Sequence, residues 1–184
     1  MSTNVNRRKL IKQVLSGSAA IATGAVLPST ILAAVKNQAA SEALKGNIQH
    51  SACRWCYDSI PTATLAKNFK QLGMVGMDLV GPSEWKILKE NNLISTMCNG
   101  AEISLTEGFN TLQYHDKLVK NYIEHIHYVA DAGYTNLICF SGNRKGMDDE
   151  TGLKNCVTGL KKIMAVAEKR GVVIQMELLN SRVD

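Results

Sequence analysis

Residues 136–178 read NLICFSGNRKGMDDETGLKNCVTGLKKIMAVAEKRGVVIQMEL, and they contain the clearest strand and helix signals of the chain. Its first five residues are a continuous apolar run, as in a strand buried on both faces of a parallel sheet. A segment with helical periodicity follows from Asp149 to Arg170, and Gly171 is typical of a helix C-terminus. A second apolar run occupies residues 172–178. This order predicts two parallel strands joined by a crossover helix. The helix is expected to turn these residues inward: Leu153, Val157, Leu160, Ile163, Met164 and Ala167.

The same alternation extends toward the N-terminus. Strands are predicted at 48–53, 76–80 and 93–98, and helices at 61–72, 82–89 and 114–132. Repeated strand and helix units fit either a TIM barrel or a doubly wound sheet. No Gly-x-Gly-x-x-Gly or P-loop pattern follows a strand, so no nucleotide cofactor is expected. We predict an α/β fold, a partial (β/α)8 TIM barrel made of its first five β/α units.

The length of the chain is short for this architecture. It has 184 residues, whereas a complete barrel needs about 250. Residues 41–184 are therefore interpreted as the N-terminal part of a TIM-barrel domain, truncated after strand five. An open sheet would leave an apolar edge strand exposed, and we expect these residues alone to be inactive.

The N-terminal segment has the parts of an export signal. Asn6-Arg7-Arg8-Lys9-Leu10-Ile11-Lys12 precedes a weakly apolar run from Val14 to Val35. Paired arginines before such a run resemble a twin-arginine signal, so residues 1–40 are predicted to be a signal peptide and short linker. The twin-arginine export machinery would be a partner, and the mature protein would be periplasmic or otherwise exported. A membrane anchor is the alternative.

Charge and cysteine content exclude other classes. The net charge is +5, but residues 35–184 hold 17 basic against 16 acidic residues, a net charge of +1. No basic surface for nucleic acid is therefore expected. Cys53 and Cys56 have C-x-x-C spacing, which serves redox chemistry or half a zinc site in other proteins. No second such pair follows, and ordinary apolar packing is the favoured interpretation.

Polar residues gather where the predicted strands end, which is the catalytic face of a barrel. They are Arg54, Glu102, Asn143, Arg144, Glu177, Asn180 and Arg182. Glu177 is the strongest candidate, because a carboxylate at the end of an apolar strand needs a cation, a hydrogen-bond partner or solvent. His115 lies at the start of the third helix, beside the long loop that is predicted after the third strand. It has either a role in the site or a structural role at the helix start, and His125 and His127 are expected to be structural.

Two of these segments carry a family resemblance. Ser141-Gly142-Asn143-Arg144-Lys145-Gly146-Met147 and Glu177-Leu178-Leu179-Asn180-Ser181-Arg182 resemble the hydroxypyruvate isomerase branch of the xylose-isomerase-like TIM barrels. The resemblance implies a divalent metal, and hard oxygen ligands favour Mg²⁺ or Mn²⁺. It makes Glu177 a metal ligand and the catalytic acid/base group. It also implies substrate binding by Asn143, Arg144, Asn180 and Arg182. The other metal ligands and a second glutamate have no counterpart in this sequence.

The predicted function is therefore a metal-dependent isomerase. It would interconvert an α-hydroxy aldehyde and an α-hydroxy ketone, with hydroxypyruvate and tartronate semialdehyde or a small sugar as substrates. A ketose epimerase and an exported, non-catalytic scaffold that binds a partner are the alternatives. A homo-oligomer is left open.

Overall fold

The computed structural model describes residues 48–179 of the chain. The predicted signal peptide, its boundary near residue 40 and the site candidates Asn180 and Arg182 lie outside these residues. The strands are β1 (Ser51–Cys53), β2 (Gly76–Val80), β3 (Ile94–Cys98), β4 (Asn136–Phe140) and β5 (Val173–Glu177). The α-helices are α1 (Thr62–Gln71), α2 (Pro82–Glu90), α3 (His115–Asp131) and α4 (Asp149–Arg170). Short 3-10 helices cover Arg54–Tyr57 and Leu112–Tyr114.

The five strands form one sheet in the order β1-β2-β3-β4-β5, and every neighbouring pair is parallel. A doubly wound sheet reverses its strand order at a switch point, whereas a barrel adds each strand beside the previous one. The order therefore confirms the predicted α/β fold and its partial TIM-barrel architecture.

One face of the sheet packs against the helices and forms the core. Met77, Leu137 and Cys139 project from this outer face and are fully buried. Tyr122 and Ile126 of α3 pack into the same cluster, and the Tyr122 hydroxyl donates to the Ile138 carbonyl at 3.1 Å. The buried apolar residues of α3 recur at three- and four-residue spacing, so one face of this helix packs against the sheet along its length; they are Leu118, Tyr122, Ile126 and Val129.

Helix α4 corrects part of the sequence interpretation. Leu153 and Val157 were expected to point inward, but they are 66% and 40% exposed. The buried positions of this helix are instead Cys156, Gly159, Ile163 and Ala167. The reason is geometric: α4 packs against α3 on one side, while Leu153 lies on the other side, where the described residues 48–179 place no further helix.

Local signals define the ends of the helices. The Asp148 side chain accepts a hydrogen bond from the Thr151 amide at 2.9 Å, which caps the first turn of α4. Gly171 ends this helix in the left-handed region with φ of 67°. Within the described part of the chain, no helix has the length and apolar character needed to cross a membrane.

Candidate active site at the mouth of the partial barrel

A cavity of about 710 Å³ opens at the carboxyl ends of the strands. Its lining comes from the carboxyl ends of β2, β4 and β5 and from the segments after β1 and β3, so the sheet topology assembles it from distant parts of the sequence. The lining residues are Arg54, Trp55, Asp58, Leu79, Asn99, Glu102, Ile103, Ser104, Leu105, Phe140 and Glu177. We call this cavity the mouth.

Glu177 reaches the mouth because of its place on β5. Ile174 and Met176 pack against the core on the outer face, so alternation along the strand turns Glu177 to the inner face. The Glu177 carbonyl accepts a hydrogen bond from the Ser141 amide at 3.1 Å, which fixes the end of the strand. Its side chain lines the mouth together with Phe140, its register partner on β4.

Arg54 is the basic residue of the mouth, and its charge is already paired. Nε lies 3.0 Å from the Thr62 hydroxyl and 3.3 Å from a Glu84 carboxylate oxygen. Nη1 donates to the Tyr57 carbonyl at 3.1 Å and to Asp58 at 3.3 Å. The side chain is only 17% exposed. These bonds tie the turn after β1 to the starts of α1 and α2, so Arg54 holds the rim together.

A bulge in β2 shapes the floor of the mouth. The register with β3 shifts between Met77 and Asp78 and again between Asp78 and Val80. Leu79, which the second shift leaves without a partner, has φ of 57°, which is unusual for a residue with a side chain. The bulge lets Leu79 line the mouth while Val80 stays buried. Bulges near sites commonly redirect a side chain in this way.

The inner face also carries a second carboxylate, that of Asp78. Ser51 donates to it at 3.0 Å from β1, and the Thr96 hydroxyl donates to it from β3. Three neighbouring strands thus meet in one polar cluster inside the partial barrel. Sequence reasoning missed Asp78, although an acidic residue in the middle of the apolar run Gly76–Val80 was a readable signal.

The C-x-x-C pair does not have the features of a reactive thiol site. Burial raises the pKa of the Cys53 thiol, and the negative charges of Asp78 and Glu177 raise it further. A raised pKa keeps this group protonated near neutral pH, whereas a nucleophilic cysteine needs a lowered one. Cys56 is exposed, so the expected apolar packing is wrong for that residue.

The long loop between β3 and α3 is fastened to the rim. The backbone amide of Phe109 donates to the Phe140 carbonyl at 3.1 Å, and the backbone amide of Asn110 donates to the Ser141 carbonyl at 2.8 Å. His115 is 3% exposed, and its Nε2 donates to the Phe109 carbonyl at 2.8 Å. His115 therefore has a structural role, because its hydrogen bond to Phe109 attaches the loop to the start of α3. It is not among the residues that line the mouth.

Two site candidates follow β4, Asn143 and Arg144, and neither is among the residues that line the mouth. The Asn143 backbone amide donates to the Thr106 carbonyl at 3.0 Å. The buried side-chain Oδ1 of Asn143 has no hydrogen-bond partner within residues 48–179. Arg144 pairs with Asp149 at 3.2 Å and lines another cavity, of about 480 Å³, beside Met176. Glu177 is thus brought together with Arg54 and Glu102, and not with Arg144. The substrate-binding roles of Asn143 and Arg144 stay predictions.

The described residues do not provide a complete metal site. Glu102 and Glu177 are hard oxygen donors of the kind that Mg²⁺ and Mn²⁺ prefer. Across residues 48–179, however, no three His, Cys, Asp or Glu side chains are grouped so as to hold an ion. The metal implied by the family resemblance therefore stays a prediction.

By sequence, the chain matches no protein-family model and no curated protein. By structure, it is similar to a sugar phosphate isomerase/epimerase from Parabacteroides distasonis, with a TM-score of 0.59 and 11% identity over 75% of this chain and 53% of that one. It is also similar to the 3-keto-D-glucoside 4-epimerase of E. coli, with a TM-score of 0.57 and 16% identity over 73% of this chain and 57% of that one.

A third similar structure has a different chemistry. It is an AP endonuclease of family 2 from Brucella melitensis, with a TM-score of 0.54 and 18% identity over 73% of this chain and 57% of that one. At these identities the likeness shows the fold alone. The class is therefore a partial TIM barrel whose structural neighbours include sugar isomerases and epimerases, and the chain spans little more than half the length of these neighbours.

Proposed function

We propose that this chain belongs to a metal-dependent isomerase that interconverts an α-hydroxy aldehyde and an α-hydroxy ketone. One observation carries the proposal: Glu177, at the carboxyl end of β5, faces a cavity on the side of the sheet where TIM-barrel enzymes place their catalytic groups. The fold is shared with sugar isomerases and epimerases, which supports a carbonyl substrate of this kind.

Glu177 would act as the general base. Its carboxylate takes the proton from the hydroxyl-bearing carbon next to the carbonyl, and the electron pair of that C–H bond forms an enediolate. The protonated carboxyl returns the proton to the former carbonyl carbon, while the hydroxyl proton passes to the former carbonyl oxygen, so that the carbonyl moves by one carbon. A carboxylate placed in this way accelerates proton transfer by about 10²- to 10⁴-fold. Glu177 is exposed, so its carboxylate is accessible to a substrate that enters the mouth beside Phe140 and Leu79.

Further features of the proposal come from the sequence motifs. Asn143, Arg144, Asn180 and Arg182 are proposed to contact the substrate, and a Mg²⁺ or Mn²⁺ ion is proposed to bind Glu177 with ligands from outside residues 48–179. The family resemblance suggests hydroxypyruvate or a small sugar as the substrate. Residues 1–40 are proposed to direct the folded protein through the twin-arginine pathway to the periplasm.

A ketose epimerase is the second candidate. The 4-epimerase structure from E. coli shares the fold, and the same base would serve both reactions, because epimerisation also begins with removal of a proton next to a carbonyl. The two differ in where a proton returns. In isomerisation Glu177 gives it to the neighbouring carbon, whereas in epimerisation an acid on the other side of the sugar, such as the second glutamate that the family resemblance implies, would give a proton to the opposite face of the same carbon.

The test is an assay of the full-length protein with Mn²⁺ on hydroxypyruvate and on small ketoses, with products resolved by chromatography. Aldehyde–ketone interconversion supports the isomerase, and a change of configuration alone supports the epimerase. Absence of turnover with every substrate would contradict both and favour the non-catalytic scaffold.

A further inference from the structure

We propose that Cys53 and Cys56 form a reversible disulfide across the turn that carries Arg54 and Trp55 to the mouth. In this structure both cysteines are free, so it represents the reduced form of the turn. The inference makes the rim of the cavity sensitive to the redox state of its surroundings. It does not depend on the reaction proposed above.

The backbone of the turn places the two cysteines at the separation that a disulfide needs. A 3-10 helix covers Arg54–Tyr57, and Cys53 is the residue directly before it. One turn of such a helix contains three residues, so the Cα atoms of Cys53 and Cys56 lie one turn, or about 6 Å, apart. Disulfides join residues whose Cα atoms are about 4.4–6.8 Å apart. The bond can therefore form without a large rearrangement of the turn.

The electrostatic surroundings of Cys53 agree with this placement. Burial is the main reason why the pKa of its thiol is raised, and the charges of Asp78 and of Cys56 raise it further. The influence of Asp78 places the Cys53 thiol near the inner face of the sheet. The influence of Cys56 shows that the two sulfur atoms are near each other.

Exposure distinguishes this pair from the other cysteines of the chain. The sequence has five cysteines. Cys56 is exposed and Cys53 is partly buried, whereas Cys98, Cys139 and Cys156 are buried. An external disulfide can therefore reach Cys56 directly, and Cys53 is the partner beside it. Exposed disulfides are also the ones that are reduced most readily, which favours a reversible bond.

The oxidant is a small-molecule disulfide such as oxidised glutathione, and the reaction has two exchange steps. The Cys56 sulfur attacks one glutathione sulfur, which forms a mixed disulfide and releases the first reduced glutathione. The Cys53 sulfur then attacks the Cys56 sulfur and releases the second. The two cysteine thiols lose two electrons and two protons, and the two glutathione molecules gain them. Because Cys56 reacts first, the raised pKa of Cys53 slows the second step without preventing it.

The bond would close a ring around two residues of the mouth. Arg54 and Trp55 lie between the cysteines, and both line the cavity. Arg54 is held by hydrogen bonds to Thr62 and Glu84, whereas Trp55 is 63% exposed. A cross-link removes conformational freedom from the opened turn and so opposes its local opening. Oxidation is therefore expected to hold Trp55 more firmly at the rim.

The experiment maps the bond in the full-length protein with glutathione as the probe. The protein is equilibrated with mixtures of reduced and oxidised glutathione, its remaining thiols are alkylated, and it is digested with trypsin for mass spectrometry. Trypsin cleaves after Arg54, so Cys53 and Cys56 fall in separate peptides, residues 46–54 and 55–67. Excess oxidised glutathione should give these two peptides joined, and excess reduced glutathione should return them as separate alkylated peptides.

Two variants provide the controls. Cys53→Ser removes the second exchange step, so Cys56 should instead retain one glutathione as a mixed disulfide. Cys156→Ala removes a buried cysteine of α4 and should leave the joined peptides unchanged. Hydrogen exchange then measures the effect on the rim: the backbone amides of residues 56–58 should exchange about tenfold more slowly in the oxidised wild-type protein. Exchange in α4 should not change.

Three results would overturn the inference. They are the absence of joined peptides at every glutathione ratio, a joined pair that excess reduced glutathione does not separate, and equal exchange of the turn amides in the two redox states. No turnover is measured in this experiment. Its failure would therefore leave the isomerase proposal untouched, and a failure of the isomerase assay would leave the disulfide in place.

Discussion

The two faces of the five-stranded sheet differ in what they are built from. The outer face carries apolar side chains such as Met77, Leu137 and Cys139, which the helices cover completely. The inner face carries Asp78, and Glu177 at its rim lines the mouth. The outer face therefore supplies most of the buried apolar area that stabilises the fold, whereas the inner face can carry polar groups without loss of that area. Substitutions on the two faces should therefore have separable effects.

The largest expected effect on stability is at the outer face. Leu137→Ala removes a fully buried side chain of β4 and should lower the free energy of unfolding by about 2–5 kcal/mol. Val173→Ala is the matched change on the inner face of β5, where the side chain is 55% exposed, and should cost less than about 1 kcal/mol. Urea denaturation of both variants measures the contrast, and equal losses would contradict it.

The next prediction concerns how firmly the long loop between β3 and α3 is attached to the end of β4. This loop connects the buried helix α3 to the mouth. A Cβ at Gly108 would overlap the backbone at Gly142 and Phe140. Gly108→Ala should therefore destabilise the protein by about 1–3 kcal/mol. At Gly81 the nearest atom to an added Cβ is 3.5 Å away, and Gly81→Ala should change the thermal midpoint little. Comparable midpoints for the two variants would show that the loop is not tightly fastened.

The exposed side of α4 should contribute less to the free energy of unfolding than the buried face of α3. Leu153 of α4 is 66% exposed, whereas Leu118 of α3 is 2% exposed. Leu153→Ala is expected to lower the free energy of unfolding by less than about 1 kcal/mol, and Leu118→Ala by about 2–5 kcal/mol. The same denaturation assay applies, and a large effect at Leu153 would mean that α4 is covered on that side.

The smallest expected effect is a dependence of stability on pH through His125. Burial lowers the pKa of this side chain, and the charges of Glu102 and Glu124 oppose the shift only in part. The unfolded chain, with the ordinary value of 6.5, binds the proton first as the pH falls. The stabilising contribution is therefore complete above about pH 6.5 and declines below it.

His125→Gln should make the unfolding free energy less sensitive to pH between about pH 7 and 5. Exposed His127 on the same helix offers the matched control, and His127→Gln should leave the slope as it is in the wild type. Identical slopes for all three proteins would show that burial of His125 has no energetic consequence.

Much of the fold could be predicted from the sequence, because β/α alternation and the glycines that end helices are local signals. The limits of β2, β4 and α4 agree with the predictions to within a residue. The inward face of α4 could not be predicted in full, because which apolar side chains are covered depends on the elements beside the helix. Leu153 has the right spacing but no partner there within residues 48–179.

The site was less predictable than the fold. Glu177 could be singled out, because a charge at the end of an apolar strand costs free energy unless it has solvent, a cation or a hydrogen-bond partner. The association of Glu177 with Glu102 and Arg54 depends on the closeness of strand ends that are far apart in sequence. The pairing of Arg144 with Asp149 depends on how the loop after β4 turns, and no periodicity encodes that turn.

The most direct test of the role of Glu177 follows the exchange of the substrate proton with solvent. The full-length protein with Mn²⁺ is incubated with hydroxypyruvate or a small ketose in D₂O, and deuterium incorporation at the carbon next to the carbonyl is followed by NMR. Glu177→Gln should slow this exchange by about 10²- to 10⁴-fold while leaving the thermal midpoint nearly unchanged. Wild-type exchange that persists undiminished in Glu177→Gln would contradict the assignment of Glu177 as the base.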